Sequence, residues 1–264
     1  MARAARVLVL ANQKGGVAKT TTTLNLGVAL HQRGLRVLAV DLDPQSNLSM
    51  SQGIDVEALK TTMFDVLAHG ASLAEVIHAR EVDVAVAGIE LAGAEMALSG
   101  MIGRERALER ALKPFKDLYD YILIDTPPSL GLLTINAMVA ADGVIVPVQC
   151  EYLSLRGLAQ LRQTLAQVRE HLNPRVRIVG IVPTMYDGRT VHGREALALL
   201  EENFGDLVYE TRIGKTIRFA EAPVQGQSIL AFDPGSQAAR WYRRLAEEVL
   251  AADGREAPAG ARAA

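Results

Sequence analysis

Cysteine is almost absent: Cys150 is the only one in 264 residues. That excludes a disulfide framework, a C-x-x-C redox or zinc pair, and a thiolate set for an iron–sulfur cluster within one chain. The five histidines, His31, His69, His78, His171 and His192, are scattered without metal-ligand spacing. No apolar run reaches the roughly 18 residues of a membrane span. The opening MARAARVLVLANQKGG is too short and ends wrongly for a signal peptide, so a cytoplasmic protein is expected. A strong charge of one sign is also missing. The net charge of −2 argues against a wholly basic nucleic-acid coat and leaves room for a local basic patch.

What is present is core. With 49% hydrophobic and 22% charged residues, the chain fits one large domain better than two. Short runs at 6–12, 36–43, 82–88, 119–127, 143–149 and 176–184 are nearly continuous in Val, Ile and Leu, which is how strands buried on both faces read. Helical patterns lie between them at 20–33, 55–67, 72–79, 103–115, 130–141, 154–171 and 190–204. The alternation predicts an α/β fold: a mostly parallel twisted sheet with helices on both faces. SQAARWYRRLAEEVLAADG reads as a closing helix, in which Trp241 and Tyr242 are packing residues. The domain is expected over 1–252, and 253–264 as a small-residue, disordered tail.

In such folds ligands sit at the carboxyl ends of the strands, and three of those ends carry chemistry. The first is LANQKGGVAKTTTT, residues 10–23. It misses the pattern G-x-x-x-x-G-K-[ST], because Gln13 and Ala18 stand where that pattern has glycine before Lys19. Gly15 and Gly16 can still bring backbone N–H groups to phosphate oxygens, with a helix N-terminus behind them. Lys19 would neutralise the β- and γ-phosphates, and Thr20 would set its hydroxyl on Mg²⁺. Ala18 would be strained by roughly 1 kcal/mol if its position required φ > 0.

The second end is VDLDPQSN, residues 40–47, where Asp41 and Asp43 are expected to have separate roles. Asp43, nearer the loop, is the candidate to contact a water or metal beside the γ-phosphate. The third, YILIDTPPS at 121–129, ends an apolar strand in Asp125, the Walker B arrangement that orients a water ligand of Mg²⁺. Pro127 and Pro128 stiffen a loop able to act as a switch.

KGGVAKTTT resembles the deviant Walker A motif K-G-G-x-x-K-[ST]. With VDLDPQ and LIDTPPS, the chain is similar to ParA/Soj-type chromosome-partition ATPases of the ParA/MinD superfamily, over nearly its whole length through VPVQCEYLSLRGL and IRFAEAP. The resemblance implies a single-domain P-loop NTPase fold using ATP and Mg²⁺. It places Lys14, Gly15, Gly16, Val17, Ala18, Lys19, Thr20, Thr21 and Asp125 around the nucleotide, and Thr20, Asp43 and Asp125 at the metal. Lys14, Lys19 and Asp43 would be catalytic, Asp43 matching the family's catalytic aspartate and Asp125 its Walker B aspartate. Lys14 would reach across a nucleotide-sandwich homodimer to the partner's ATP, and position 18 is left open by the motif.

The family resemblance further implies that the ATP dimer binds double-stranded DNA without sequence preference, on the nucleoid, and that a ParB-type partner stimulates hydrolysis. Residues 175–244 hold ten Lys/Arg and eight Asp/Glu, a modest excess, but Arg212, Lys215 and Arg218 precede the first acid in TRIGKTIRFAEAP. With Arg189 and Arg194 they would meet phosphates on one face, doubled by dimerisation. Arg189 and Arg218 match the family's DNA-contacting positions; relatives often carry PRNVRLAEAP where this chain has GKTIRFAEAP, so Lys215 replaces an arginine. Two alternatives share the motifs. A MinD-like membrane-positioning ATPase needs a terminal amphipathic helix with bulky anchors, which APAGARAA does not provide. A metabolic synthetase of the same superfamily needs a second substrate pocket.

Overall fold

The computed structural model describes residues 4–151 and 154–255. Eight strands form one sheet: β1 Arg6–Leu10, β2 Val37–Asp41, β3 Ile77–Ala79, β4 Asp83–Ala85, β5 Tyr121–Asp125, β6 Gly143–Gln149, β7 Ile178–Tyr186 and β8 Ile213–Gly214. The first helices are α1 Lys19–His31, α2 Asn47–Met50, α3 Met63–Ala68, α4 Ala94–Leu98, α5 Ala107–Leu112 and α6 Leu132–Ala140. Then come α7 Ser154–His171, α8 Val191–Phe204, α9 Arg218–Val224, α10 Ile229–Phe232 and α11 Gln237–Ala252.

The strand order is β3-β4-β2-β5-β1-β6-β7-β8, parallel throughout except for the β3–β4 pair. β2 and β5 are buried at every residue, because their continuous aliphatic runs must be covered on both faces. One helical layer groups α1 with α10 and α11, and another joins α3, α4, α5, α6 and α7. β1 is central: the chain leaves it toward β2 on one side and later crosses from β5 past it to β6 on the other, so the topological switch point lies beside it. Register brings three strand ends level: Leu10 and Asp41 are both Cα partners of Asp125.

The closing helix α11 buries Ala238, Ala239, Tyr242, Leu245, Ala246, Val249 and Leu250 at helical spacing. Tyr242 is fully buried against α1, and Trp241 covers Gly214, so both aromatics pack. Beyond it, Asp253 accepts hydrogen bonds from Arg6 Nε at 2.9 Å and the Tyr121 hydroxyl at 3.0 Å, and Arg255 donates to the Asp120 carbonyl. The first residues of the expected tail are therefore tied to the sheet, and 256–264 lie outside the described residues.

Three expected helices differ. Residues 72–79 form a 3₁₀ turn at Leu73–Val76 and then β3, which pairs antiparallel with β4. The 55–67 pattern breaks into a 3₁₀ turn at Val56–Ala58 and α3, which starts afresh at a Thr62/Asp65 capping box. The 103–115 pattern keeps only α5 as α-helix, flanked by 3₁₀ turns. On the other side, the turns at 53 and 226 touch through backbone alone. A Cβ on Gly226 would lie 3.0 Å from Gly53 Cα, and both residues have φ +66°. Glu81 fastens the same place, accepting from Ser228 N at 2.7 Å and Gln52 Nε2 at 3.2 Å.

Helix α1 begins from a strained residue. Ala18 has φ 68°, ψ 34° and gives no side-chain cap. Left-handed backbone costs an L-residue about 1–2 kcal/mol, and glycine repays part of that through its looser unfolded state. Ala18→Gly is expected to stabilise the nucleotide-free protein by about 0.5–1 kcal/mol, raising its midpoint by about 2 °C in calorimetry. Ala18→Val is expected to lower it.

Candidate functional site

The loop between β1 and α1 is set by Asn12, which sequence reasoning missed. Its side chain donates to Pro147 O at 2.7 Å and accepts from Lys14 N at 3.0 Å, so strand β6 orders the loop. Gly15 and Gly16 are exposed, and Gly16 has φ +70°, which lets the loop turn its backbone outward. Val17 turns the other way: its side chain is fully buried and its carbonyl accepts from Thr184 Oγ1 at 3.1 Å.

Behind the loop, Lys19 is only 7% exposed, with Nζ 3.5 Å from the Lys14 carbonyl. Burial lowers its pKa, and Asp125 and Asp43 oppose that shift. Thr20 Oγ1 donates to Asp125 Oδ2 at 2.6 Å, and Thr23 Oγ1 lies 3.3 Å from Oδ1. Asp125 is completely buried, and its carboxyl is pushed up to about 8 by that burial and then by the neighbouring Asp41. A cation placed between Thr20 and Asp125 would relieve the acid.

Asp43 and Asp41 have separate places. Asp43 borders a cavity of about 980 Å³, and its Oδ1 accepts from Gln45 N at 3.0 Å. Asp41 is sealed inside the sheet. The P-loop from Gly15 to Thr21, with Asp43 and Pro128, forms one wall of the cavity; Met185, Ile217 and Phe219 belong to the other. That size suits a nucleotide. Among the described residues, the non-glycine residues with positive φ are Ala18, Ser46 and Met185, and all belong to this region: two line the cavity, and Ser46 lies between the lining residues Gln45 and Asn47. Backbone strain gathers at sites whose shape is imposed by the surrounding fold.

The hard oxygens of Thr20, Asp43 and Asp125 fit Mg²⁺. Among the described residues no group of three or more His, Cys, Asp or Glu could hold a metal ion alone. The site suits an ion that brings phosphate and water ligands with it.

Lys14 is not with this group. Its Nζ donates to Gln149 Oε1 at 2.8 Å, at the last residue of β6, and to Glu151 Oε2 at 3.0 Å just past it, and its side chain is 40% exposed. Nor are the expected DNA residues bare cations. Arg189, 90% exposed, forks onto Asp187 at 2.9 and 2.8 Å and, with a smaller contribution from Lys215, holds that carboxyl down to about 2. Arg218 opens α9, pairs with Glu221 at 3.1 Å and lies over the Phe232 ring. Arg189 thus holds Asp187 directly and Lys215 acts on it only through space, while Arg212 is drawn to Glu201 at 3.1 Å and stacks on Tyr186.

Comparison with known proteins agrees with this geometry. The AAA_31 family, an AAA domain, matches residues 5–178. The sporulation initiation inhibitor protein Soj of Bacillus subtilis is 47% identical, covering 93% of this chain and 98% of that protein. The chromosome-partitioning ATPase Soj of Thermus thermophilus is 46% identical, covering 93% and 96%. Among solved structures, cobyrinic acid a,c-diamide synthase from Mycobacterium smegmatis with bound ADP and magnesium superposes with a TM-score of 0.83 at 39% identity, covering 96% of this chain and 98% of that one. Strand-end acids level with a two-lysine phosphate loop, and such identity over nearly whole lengths, have one consequence: this chain belongs to the ParA/Soj-type family of ParA/MinD ATPases.

Proposed function

We propose that the domain 1–252 is an ATP-dependent DNA-partitioning ATPase acting in the cytoplasm, on the nucleoid. The observation that carries this is the division of labour between two lysines of one loop. Lys19 is buried behind the phosphate turn, and Lys14 points away from it into solvent-accessible contacts. A lysine serving its own phosphate site would sit with Lys19; one placed as Lys14 is suits phosphates held by a second copy. Its exposed pairing with Glu151 is worth only about 0–1 kcal/mol, so it exchanges readily for a nucleotide across a dimer.

In that reading, N–H groups of the 15–20 turn and the start of α1 hold the phosphates, and Lys19 neutralises them. Thr20 and Asp43 would hold Mg²⁺ with Asp125 behind them, and the chemistry it would supply is neutralisation of phosphate charge. Asp43 orients the attacking water. Hydrolysis removes the contact Lys14 makes across the dimer, which turns a bound nucleotide into a timer. Arg189, Lys215 and Arg218 contact nonspecific double-stranded DNA, exchanging their local acids for phosphates, and a ParB-type centromere-binding partner stimulates hydrolysis and release. Among the described residues no helix is long and apolar enough to cross a membrane.

The 39% likeness to a cobyrinic acid a,c-diamide synthase favours a second reading, a ligase for a carboxylic acid substrate. ATP turnover that rises with cobyrinic acid, and not with DNA plus a ParB-type protein, would establish it instead.

Lys14→Ala is expected to keep ATP binding through Lys19 and lose the ATP-dependent dimer in sedimentation velocity, while Asp43→Ala traps the ATP dimer with hydrolysis reduced at least about 100-fold. Exchanging Arg189 and Arg218 for Glu is expected to abolish co-sedimentation with DNA in ATP while the dimer survives. An ATP-loaded wild-type monomer that ignores DNA would sink the partition reading.

A further inference from the structure

Asp41 is completely buried next to the nucleotide cavity, as Asp125 is, and it does not border that cavity. Its two oxygens are both engaged. Oδ1 accepts from Asp43 N at 3.1 Å, and Oδ2 accepts from Ser49 N at 2.9 Å and Ser49 Oγ at 2.8 Å. The Ser49 hydroxyl oxygen in turn accepts from Ala87 N at 3.2 Å, just past the end of β4. One carboxylate at the tip of β2 thus gathers both ends of the 43–49 segment and fastens them to the neighbouring strand.

The enclosed segment needs such a fastening. Ser46 sits in the left-handed region at φ 53°, and its hydroxyl is buried without a hydrogen-bond partner. Each feature is unfavourable, and a segment that bears both relaxes unless its ends are held. The Asp43 carboxylate is the first side chain inside the fastening, followed by Gln45 and Asn47, which also face the cavity.

Asp41 is a poor choice for stability alone. It is completely buried, which raises its own carboxyl, and its Cα partner across the sheet is Asp125, another buried acid whose ionisation Asp41 disfavours further. A neutral residue there would remove that repulsion. What the acid provides is three accepted hydrogen bonds in a fixed geometry, and one of them fixes the backbone of Asp43.

We propose that Asp41 is a positioning residue for ATP hydrolysis, which acts through Ser49 and the Asp43 backbone to hold the Asp43 side chain at the γ-phosphate end of the cavity. The inference rests on the ATPase reading given above. Asp41 touches neither substrate nor metal, so its loss affects the chemical step more than nucleotide binding, which depends on the 15–21 turn and Lys19. Misplacement of a reacting group by about 1 Å costs on the order of 100-fold in rate.

The test is steady-state ATP hydrolysis together with fluorescent-ATP binding, on the full chain with its DNA and a ParB-type stimulator. Asp41→Asn, Ser49→Ala and their double variant are compared with wild type and with Asp43→Ala. Ser49→Ala opens the fastening without altering a charge, so it answers for Asp41→Asn if that variant folds poorly. The expected result is a kcat about 10- to 100-fold lower in each single variant, with KM and the ATP dissociation constant within about 3-fold of wild type. The double variant is expected to be no slower than the slower single, because both changes break one unit. Wild-type kcat in Asp41→Asn and Ser49→Ala, with Asp43→Ala inactive, overturns the inference and leaves the ATPase reading standing. An increase in KM that matches the whole loss of activity also overturns it. An Asp43→Ala protein as active as wild type overturns both.

Discussion

Two buried carboxyls facing each other across adjacent strands are the constraint around which the site is arranged. Asp41 and Asp125 share a rung of the sheet in the driest part of the molecule, where charge is costly and like charges repel. The surroundings are organised to tolerate them. Thr20, Thr23 and Lys19 surround Asp125, and Ser49 with the Asp43 backbone surrounds Asp41. Since those same groups belong to the phosphate turn and the Asp43 segment, satisfying the acids also sets the geometry of the cavity. The sheet's level strand ends make this possible: a one-residue slip in β2 would carry Asp41 away from Asp125 to the opposite face of the sheet.

That arrangement was only partly legible in the sequence. The buried strands β1, β2, β5, β6 and β7 announced themselves as aliphatic runs, and the acids at their tips followed from where such strands end. Residues 72–79 misled because Leu73, Val76 and Ile77 have the i, i+3, i+4 spacing of a helix. The turn at Arg80–Val82 instead folds Ile77–Ala79 back on β4, a tertiary pairing that local spacing does not encode. β8, two residues long, and α9, interrupted by Pro223, gave no periodic signal.

The site shows the same limit. Lys19, Thr20, Asp43 and Asp125 were found because each occupies a fixed offset from a strand end. The partners that decide their behaviour come from far along the chain: Gln149 and Glu151 for Lys14, and Pro147 for Asn12. Ala18 illustrates the remainder. A motif that leaves the position open says nothing of its backbone angles, and the structure places an alanine where only glycine is unstrained. The left-handed residues about the cavity show a chain that gives up stability to hold a shape.

The close approach of Gly53 and Gly226 joins the end of the Asp43 region to the exit of α9, the helix that Arg218 opens. Most contacts in a protein pass through side chains, which have rotamers and can absorb a displacement by swinging aside. Here two glycine main chains approach so closely that a Cβ on Gly226 would crowd Gly53, and neither residue has a rotamer to serve as slack. Little room is left for one turn to shift without the other, so the junction couples the nucleotide edge of the molecule to the helix that Arg218 opens.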